Sequence, residues 1–84
     1  MEWNYLNHSI YIRSEVGRIL GEIMFPETSP GVYDIENVHV AEEYIGSELP
    51  EQLIEAARKR IKEQGGRATA SDPFARKYFS EHHL

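Results

Sequence analysis

The sequence contains no cysteine among its 84 residues, which excludes disulfide bonds, cysteine metal sites and thiol nucleophiles together. This absence fits a protein of the cytoplasm, and we expect that location. No apolar run approaches the roughly 18 residues of a membrane-spanning helix. The segment from Met1 to Asn4 also shows no basic stretch leading into an apolar one. We therefore expect neither a membrane segment nor a secretory signal peptide.

Basic residues are also scarce, because 9 lysines and arginines stand against 14 aspartates and glutamates, for a formal net charge of −5. Nonspecific nucleic-acid binding depends on neutralising phosphates with lysine and arginine. The one basic cluster, Arg58 to Lys62, falls near the end of a predicted helix, where positive charge complements the helix dipole. We expect no nucleic-acid partner.

The length is sufficient for one domain, which we assign to residues 1–84. Hydrophobic residues make up 40% of the chain and aromatic residues 11%, which is typical of a folded globule. A chain of this size buries only about 60–65% of its unfolded surface. Its core must therefore be thin, and a homodimer is one common remedy that we keep open.

The first half of the chain has the pattern of three strands. Residues Asn7–Arg13 alternate polar and apolar side chains, and Arg18–Phe25 reads as a second strand after a turn at Gly17. A loop rich in proline follows at Pro26–Gly31. Alternation returns over Val32–Val40, with its register slipping near the end. The pattern predicts an antiparallel meander of three strands.

The second half of the chain predicts two helices around a short strand. Apolar residues recur four apart over a predicted helix from Glu48 to Gln64. Residues Arg67–Ala70 read as a fourth strand that returns beside the third through a right-handed crossover. A last helix over Pro73–His82 would bury Phe74 and Tyr78. The predicted fold class is therefore α/β (α+β), with an antiparallel meander followed by a helix, a short strand and a C-terminal helix.

The turn between the third strand and the first helix carries two opposing signals. A strand that enters a helix through Gly46 aims several backbone N–H groups at one point, which is a common way to hold a phosphate. Four carboxylates oppose an anion there: Glu42, Glu43, Glu48 and Glu51.

Several weak motifs occur in order along the chain. Residues Val40–Tyr44 form a strand end and a tyrosine, and Ile45–Pro50 follow as a glycine-containing turn into a helix. Residues Asp72–His82 then give an aromatic, a Tyr-Phe pair and a histidine. From about residue 7 to residue 83 this order resembles the short single-domain branch of the GNAT superfamily of N-acetyltransferases. In that family the turn reads Arg-Gly-x-Gly-x-Ala.

The resemblance implies a GNAT-like fold that binds acetyl-CoA and transfers an acetyl group to an amine of a protein or a small molecule. It places the pantetheine arm between the third and fourth strands, near Thr69 and Ala70. In catalysis, Asp72 would take the place of the family's cysteine and Tyr78 would reprotonate the leaving thiolate. The acetyl-CoA contacts that it implies are Val40, Ile45, Gly46, Ser47, Glu48 and Leu49, with no metal.

The chain departs from the family pattern at functional positions. Ile45 replaces the arginine, Glu48 the second glycine, Pro50 the alanine and Asp72 the cysteine, and Asn37 stands where a histidine is common. Glu48 matters most, because a carboxylate about 6 Å from a pyrophosphate charge would cost roughly 3 kcal/mol at an effective dielectric constant of 20. Three functions stay open: an N-acetyltransferase, an inactive GNAT-fold interaction module, and a regulatory domain that binds acyl-CoA.

The candidate catalytic residues each have a structural alternative. Asp72 before a proline is also the expected N-cap of the last helix. Tyr78 is also expected to pack on the sheet. His39 is a candidate base or metal ligand, or a half-buried strand residue. His82 and His83 are adjacent on a helix and do not face one ion.

Overall fold

The computed structural model describes residues 1–84 and has a mixed α/β architecture of seven strands and two α-helices, which confirms the predicted fold class. A 3₁₀ turn at Glu42–Tyr44 precedes the first helix. The strands are β1 Glu2–Tyr5, β2 Ser9–Arg13, β3 Ile19–Met24, β4 Glu27–Ser29, β5 Val32–Ile35, β6 Asn37–Val40 and β7 Arg67–Ala70, and the helices are α1 Leu49–Glu63 and α2 Pro73–Glu81.

The strands form two adjoining sheets, one in the order β1-β2-β3-β6 and one in the order β4-β5-β7. The predicted meander corresponds to β2, β3 and β6, which pair antiparallel. Strand β1 was not predicted, because its four residues alternate too briefly to be read from sequence. It is fixed by pairing with β2, where Trp3 lies opposite Ile12.

The predicted third strand divides at Glu36 into β5 and β6. Strand β5 pairs in parallel with β7, from Val32 opposite Arg67 to Ile35 opposite Ala70. Glu36 donates its N–H to the carbonyl of Met24, although Asn37 is the residue opposite Met24. Two residues therefore oppose one, which makes a bulge that turns the strand. Beyond this bulge β6 leaves β7 and pairs only with β3.

One face of the sheets is covered by α1, and the buried apolar residues of the chain form a single core there. Leu53 lies against Gly21 of β3, where an added Cβ would come within 3.1 Å of the leucine. On the opposite face, Tyr11, Glu22 and His39 lie side by side across β2, β3 and β6 and stay half-buried or exposed. Neither helix is both long and apolar enough to cross a membrane.

The ends of the helices follow the sequence signals closely. Helix α1 begins at Leu49 with proline in its first turn and stops before Gly65, whose φ is +77°. Tyr78 of α2 is buried, as predicted. The prediction that Phe74 is buried was wrong, because this side chain is 43% exposed. It lies in the first turn of α2, beside the opening where β6 has separated from β7.

Candidate functional site

The separation of β6 from β7 creates a cleft between the outer edge of β6, the Gly46 turn and the start of α2. A cavity of about 270 Å³ occupies it. Its lining is mostly apolar and consists of Val38, His39, Val40, Ile45, Gly46, Pro50 and Phe74.

The outer edge of β6 presents backbone polar groups to this cleft. Strand β6 is the last strand of its sheet, so its outer edge has no strand partner. The N–H of Val38 points outward and donates to Asp72 Oδ1 at 3.2 Å. Because alternate residues of a strand direct their peptide groups to the same side, the N–H and C=O of Val40 also face outward. An extended molecule that contains amides can pair with this edge.

Some backbone N–H groups of the Gly46 turn donate hydrogen bonds within the turn itself. Ile45 donates to the carbonyl of Glu42 at 3.2 Å, and Ser47 donates to that of Tyr44 at 3.1 Å. The N–H of Leu49 is capped by Ser47 Oγ at 3.2 Å. Three of the residues predicted to contact acetyl-CoA therefore have their backbone N–H groups engaged within the protein.

Three other backbone N–H groups of this turn have no intramolecular partner, namely those of Gly46, Glu48 and Glu51. Gly46 has a φ of +85°, a conformation that glycine adopts without strain. Pro50 contributes no N–H. The anion-binding capacity of the turn thus rests on these three amides and on the positive end of the α1 dipole.

A second cavity, also of about 270 Å³, continues the cleft between the turn and α2. It is lined by Gly46, Ser47, Pro50, Glu51, Phe74, Lys77, Tyr78 and Glu81. Lys77 is the only cationic residue among them. The sequence pattern gave no signal for Lys77, because its position opposite the turn depends on how α2 packs.

The carboxylates around the turn are not equivalent. Both terminal guanidinium nitrogens of Arg18 donate to the Glu43 carboxylate, one of them to Oε1 at 2.7 Å. This hydrogen bonding lowers the pKa of Glu43 to about 2. Glu48 lines a separate groove of about 280 Å³ between α1 and α2, together with Glu55. Glu51 lines both that groove and the cavity at Gly46. The carboxylate that opposes an anion most directly is therefore Glu51, whereas the sequence pointed to Glu48.

Asp72 lies where β6 separates from β7 and has both carboxylate oxygens occupied. Oδ1 accepts the N–H of Val38, and Oδ2 accepts the N–H of Ala75 at 3.0 Å in the first turn of α2. The expected N-cap is thus present, and the same side chain also fastens β6 to α2. A catalytic role for Asp72 stays a prediction.

Tyr78 donates its hydroxyl to Glu55 Oε2 at 2.5 Å, which joins α2 to α1. This hydrogen bond, with burial and the nearby negative charge, raises the pKa of Tyr78 to about 12. The hydroxyl therefore holds its proton firmly. Tyr78 lines the cavities at the helices but not the one at the β6 edge. Its role as the acid that reprotonates a thiolate also stays a prediction.

The structure brings together most of the residues predicted to bind a cofactor. Val40, Ile45 and Gly46 line one cavity, and Ser47 lines the adjoining one. The route expected near Thr69 and Ala70 is closed, because both residues are paired with β5. The opening begins beyond Ala70.

A meander whose last strand diverges from a parallel neighbour, beside a glycine turn at a helix N-terminus, is the architecture of a GNAT-fold domain. The model of the family described as GCN5-related N-acetyltransferases matches residues 9–84. The chain belongs to that family.

Solved structures agree on the fold. A GCN5-like protein from Staphylococcus aureus superposes with a TM-score of 0.77 at 21% identity, over 96% of this chain and 79% of that one. A ribosomal-protein-alanine N-acetyltransferase from Brucella melitensis superposes with a TM-score of 0.65 at 18% identity, over 87% of this chain and 60% of that one. An acetyltransferase from Trypanosoma brucei superposes with a TM-score of 0.67 at 22% identity, over 90% of this chain and 60% of that one. The chain thus spans only 60% of the latter two. No curated protein matches the sequence.

Proposed function

We propose that this protein binds acetyl-CoA in the cleft between β6 and α2 and transfers the acetyl group to an amine. The observation that carries the proposal is the unpaired edge of β6 lying next to a turn with free backbone N–H groups, in a chain of the N-acetyltransferase family. The acceptor amine, on a protein or a small molecule, is not specified by these features.

The residues of the cleft fit the parts of acetyl-CoA by chemical type. The peptide groups of Val40 offer hydrogen bonds to the two amides of a pantetheine arm, and the apolar side chains of Ile45 and Phe74 flank it. The amides of Gly46 and Glu48, with Lys77 opposite, offer donors to a pyrophosphate. When bound, acetyl-CoA would supply the activated thioester, and the protein would mainly orient it and the amine.

Two carboxylates oppose this assignment. Glu51 and Glu81 line the same cavity as Lys77 and would repel a pyrophosphate. The Glu51 carboxylate also interacts favourably with the positive end of the α1 dipole, which explains its presence without reference to a ligand. The site therefore combines a suitable shape and free backbone N–H groups with side chains of net negative charge, and we expect affinity in the micromolar range rather than tighter.

The test is a calorimetric titration with acetyl-CoA of the natural chain, of Gly46→Ala and of Gly17→Ala. Gly46 and Gly17 have nearly the same φ, +85° and +86°, and neither has an atom within 4 Å of an added Cβ. Both variants therefore carry the same backbone strain, of roughly 1–2 kcal/mol. Only Gly46→Ala should weaken binding, by about tenfold or more.

Transfer itself is measured as release of the CoA thiol in the presence of amines. Because the chain has no cysteine, a thiol-reactive dye would report only on CoA. Binding without thiol release would favour the alternative of an acyl-CoA-binding regulatory domain. No binding by the natural chain would reject the proposed function and leave a GNAT-fold interaction module.

A further inference from the structure

The cavity at the β6 edge contains one ionisable side chain. Of the seven residues that line the cavity at the β6 edge, six are apolar aliphatic, aromatic or glycine residues, and the seventh is His39. The two catalytic candidates from the sequence lack a free group there. Asp72 is held by two backbone N–H groups, and the hydroxyl of Tyr78 is held by Glu55.

His39 lies on the face of β6 that no helix covers. Val38 and Val40 pack against the core on the α1 side. Because side chains alternate along a strand, His39 projects from the opposite face, and it is exposed to solvent. It nevertheless lines the same cavity. The imidazole thus stands on the open side of the strand whose edge borders the cleft, where an amine has room to approach.

Glu22 is the neighbour of His39 across the pair of strands β3 and β6. It lies directly opposite His39 in the pairing of β3 with β6, so the two side chains share one face. Directly paired residues of antiparallel strands have Cβ atoms about 4.5–5.5 Å apart. From the side of α2, the Asp72 carboxylate lies at the edge of the same strand, where it accepts the N–H groups of Val38 and Ala75.

We propose that His39 is the catalytic base of the acetyl transfer; this rests on the proposed function. The amine nitrogen forms a bond to the acyl carbon of the thioester, and His39 takes the proton that the nitrogen must lose. The C–S bond breaks, and the thiolate receives a proton from the imidazolium. The products are the amide and the free thiol, and the imidazole is neutral again.

The experiment compares the natural chain with His39→Ala and with the matched control His83→Ala, which lies past the end of α2 and outside the cleft. Acetyl-CoA affinity is measured by calorimetry. Thiol release is measured with three amine probes, namely spermidine, lysine ethyl ester and an alanine-terminated peptide, from pH 6 to pH 9. Removal of a general base typically lowers the rate by about 100-fold or more.

We expect His39→Ala to bind acetyl-CoA with unchanged affinity, to lose about 100-fold in rate and to recover part of that rate when free imidazole is added. A merely structural histidine would not show such rescue. Transfer by His39→Ala at the rate of the control would overturn the proposal. The proposal would also be overturned if the natural chain bound acetyl-CoA but released no thiol with any of the three amine probes. Absence of binding by the natural chain would instead reject the proposed function itself.

Discussion

At the scale of single residues, the Gly46 turn is a site where one positive and two negative side chains face the same cavity. Lys77 and Glu81 reach it from α2, and Glu51 reaches it from the first turn of α1. Ile45, which stands where the family has an arginine, is 71% exposed at the mouth of the cleft and offers no charge. We therefore expect the charges of Lys77, Glu51 and Glu81, rather than the turn residue Ile45, to set the affinity of this cavity for an anion.

We expect Glu51→Gln to tighten acetyl-CoA binding by about tenfold and Lys77→Gln to weaken it by a similar factor. A tenfold change corresponds to about 1.4 kcal/mol, which is below the roughly 3 kcal/mol of an unscreened pair at 6 Å because solvent reaches both side chains. Calorimetry in low and moderate salt measures both changes. Both should shrink as salt is added.

Glu48→Gln and Glu63→Gln are the controls for this pair. Glu48 lines the groove on the other side of Glu51, and Glu63 lies at the far end of α1. We expect a smaller gain from Glu48→Gln and none from Glu63→Gln. A larger gain from Glu48→Gln than from Glu51→Gln would contradict the placement of these carboxylates.

At the scale of secondary structure elements, Asp72 connects two elements that otherwise separate. It caps α2 through Ala75 and holds the edge of β6 through Val38. Loss of an N-cap side chain costs about 0.5–2 kcal/mol, and loss of the second hydrogen bond leaves the partly buried N–H of Val38 without its partner.

We expect Asp72→Ala to lower the free energy of unfolding by about 2 kcal/mol. Asp72→Asn should recover only about half of this loss, because its one carbonyl oxygen can cap Ala75 whereas its NH2 group cannot accept the N–H of Val38. Urea unfolding followed by circular dichroism measures both. Asp72→Asn should retain acetyl transfer if the residue is a cap. A rate loss of 100-fold or more in Asp72→Asn, measured where the protein is still fully folded, would show that the carboxylate itself is catalytic.

At the scale of the whole molecule, the two helices are joined by the hydrogen bond from Tyr78 to Glu55, and the stability of the fold should depend on pH through it. The hydrogen bond raises the pKa of Tyr78 from 10.0 to about 12 in the folded protein. Folding therefore favours the protonated phenol. This contribution is complete below pH 10 and is lost as the pH rises towards 12.

We expect the difference in unfolding free energy between the natural chain and Tyr78→Phe to shrink between pH 10 and pH 12. Urea unfolding at pH 8, 10 and 12 measures it. Tyr5→Phe serves as the control, because Tyr5 is exposed and makes no side-chain hydrogen bond in the structure. A difference that stays constant over this range would show that Tyr78 contributes by packing alone.

Much of the fold was predictable because it depends on local patterns. The period of α1, the stop at Gly65 and the cap at Asp72 all act within a few residues, so they can be read from the sequence. The site was predictable only as a location. Gly46 marked the turn in the sequence. The positions of Lys77 and His39 in the cavities depend on the packing of α2 and on the pairing of β6, which involve partners far away in sequence.

The sequence by itself determined the class of fold, the family and the position of the strand–turn–helix segment around Gly46, since these follow from residue order and spacing. Only the tertiary structure decided that the predicted third strand divides into β5 and β6 at Glu36. It also decided that both carboxylate oxygens of Asp72 accept backbone N–H groups, and that Glu51 rather than Glu48 lines the cavity at Gly46. The physical reason is that a site is made of side chains from separate elements. Their distances are fixed by how the strands pair and how the helices pack.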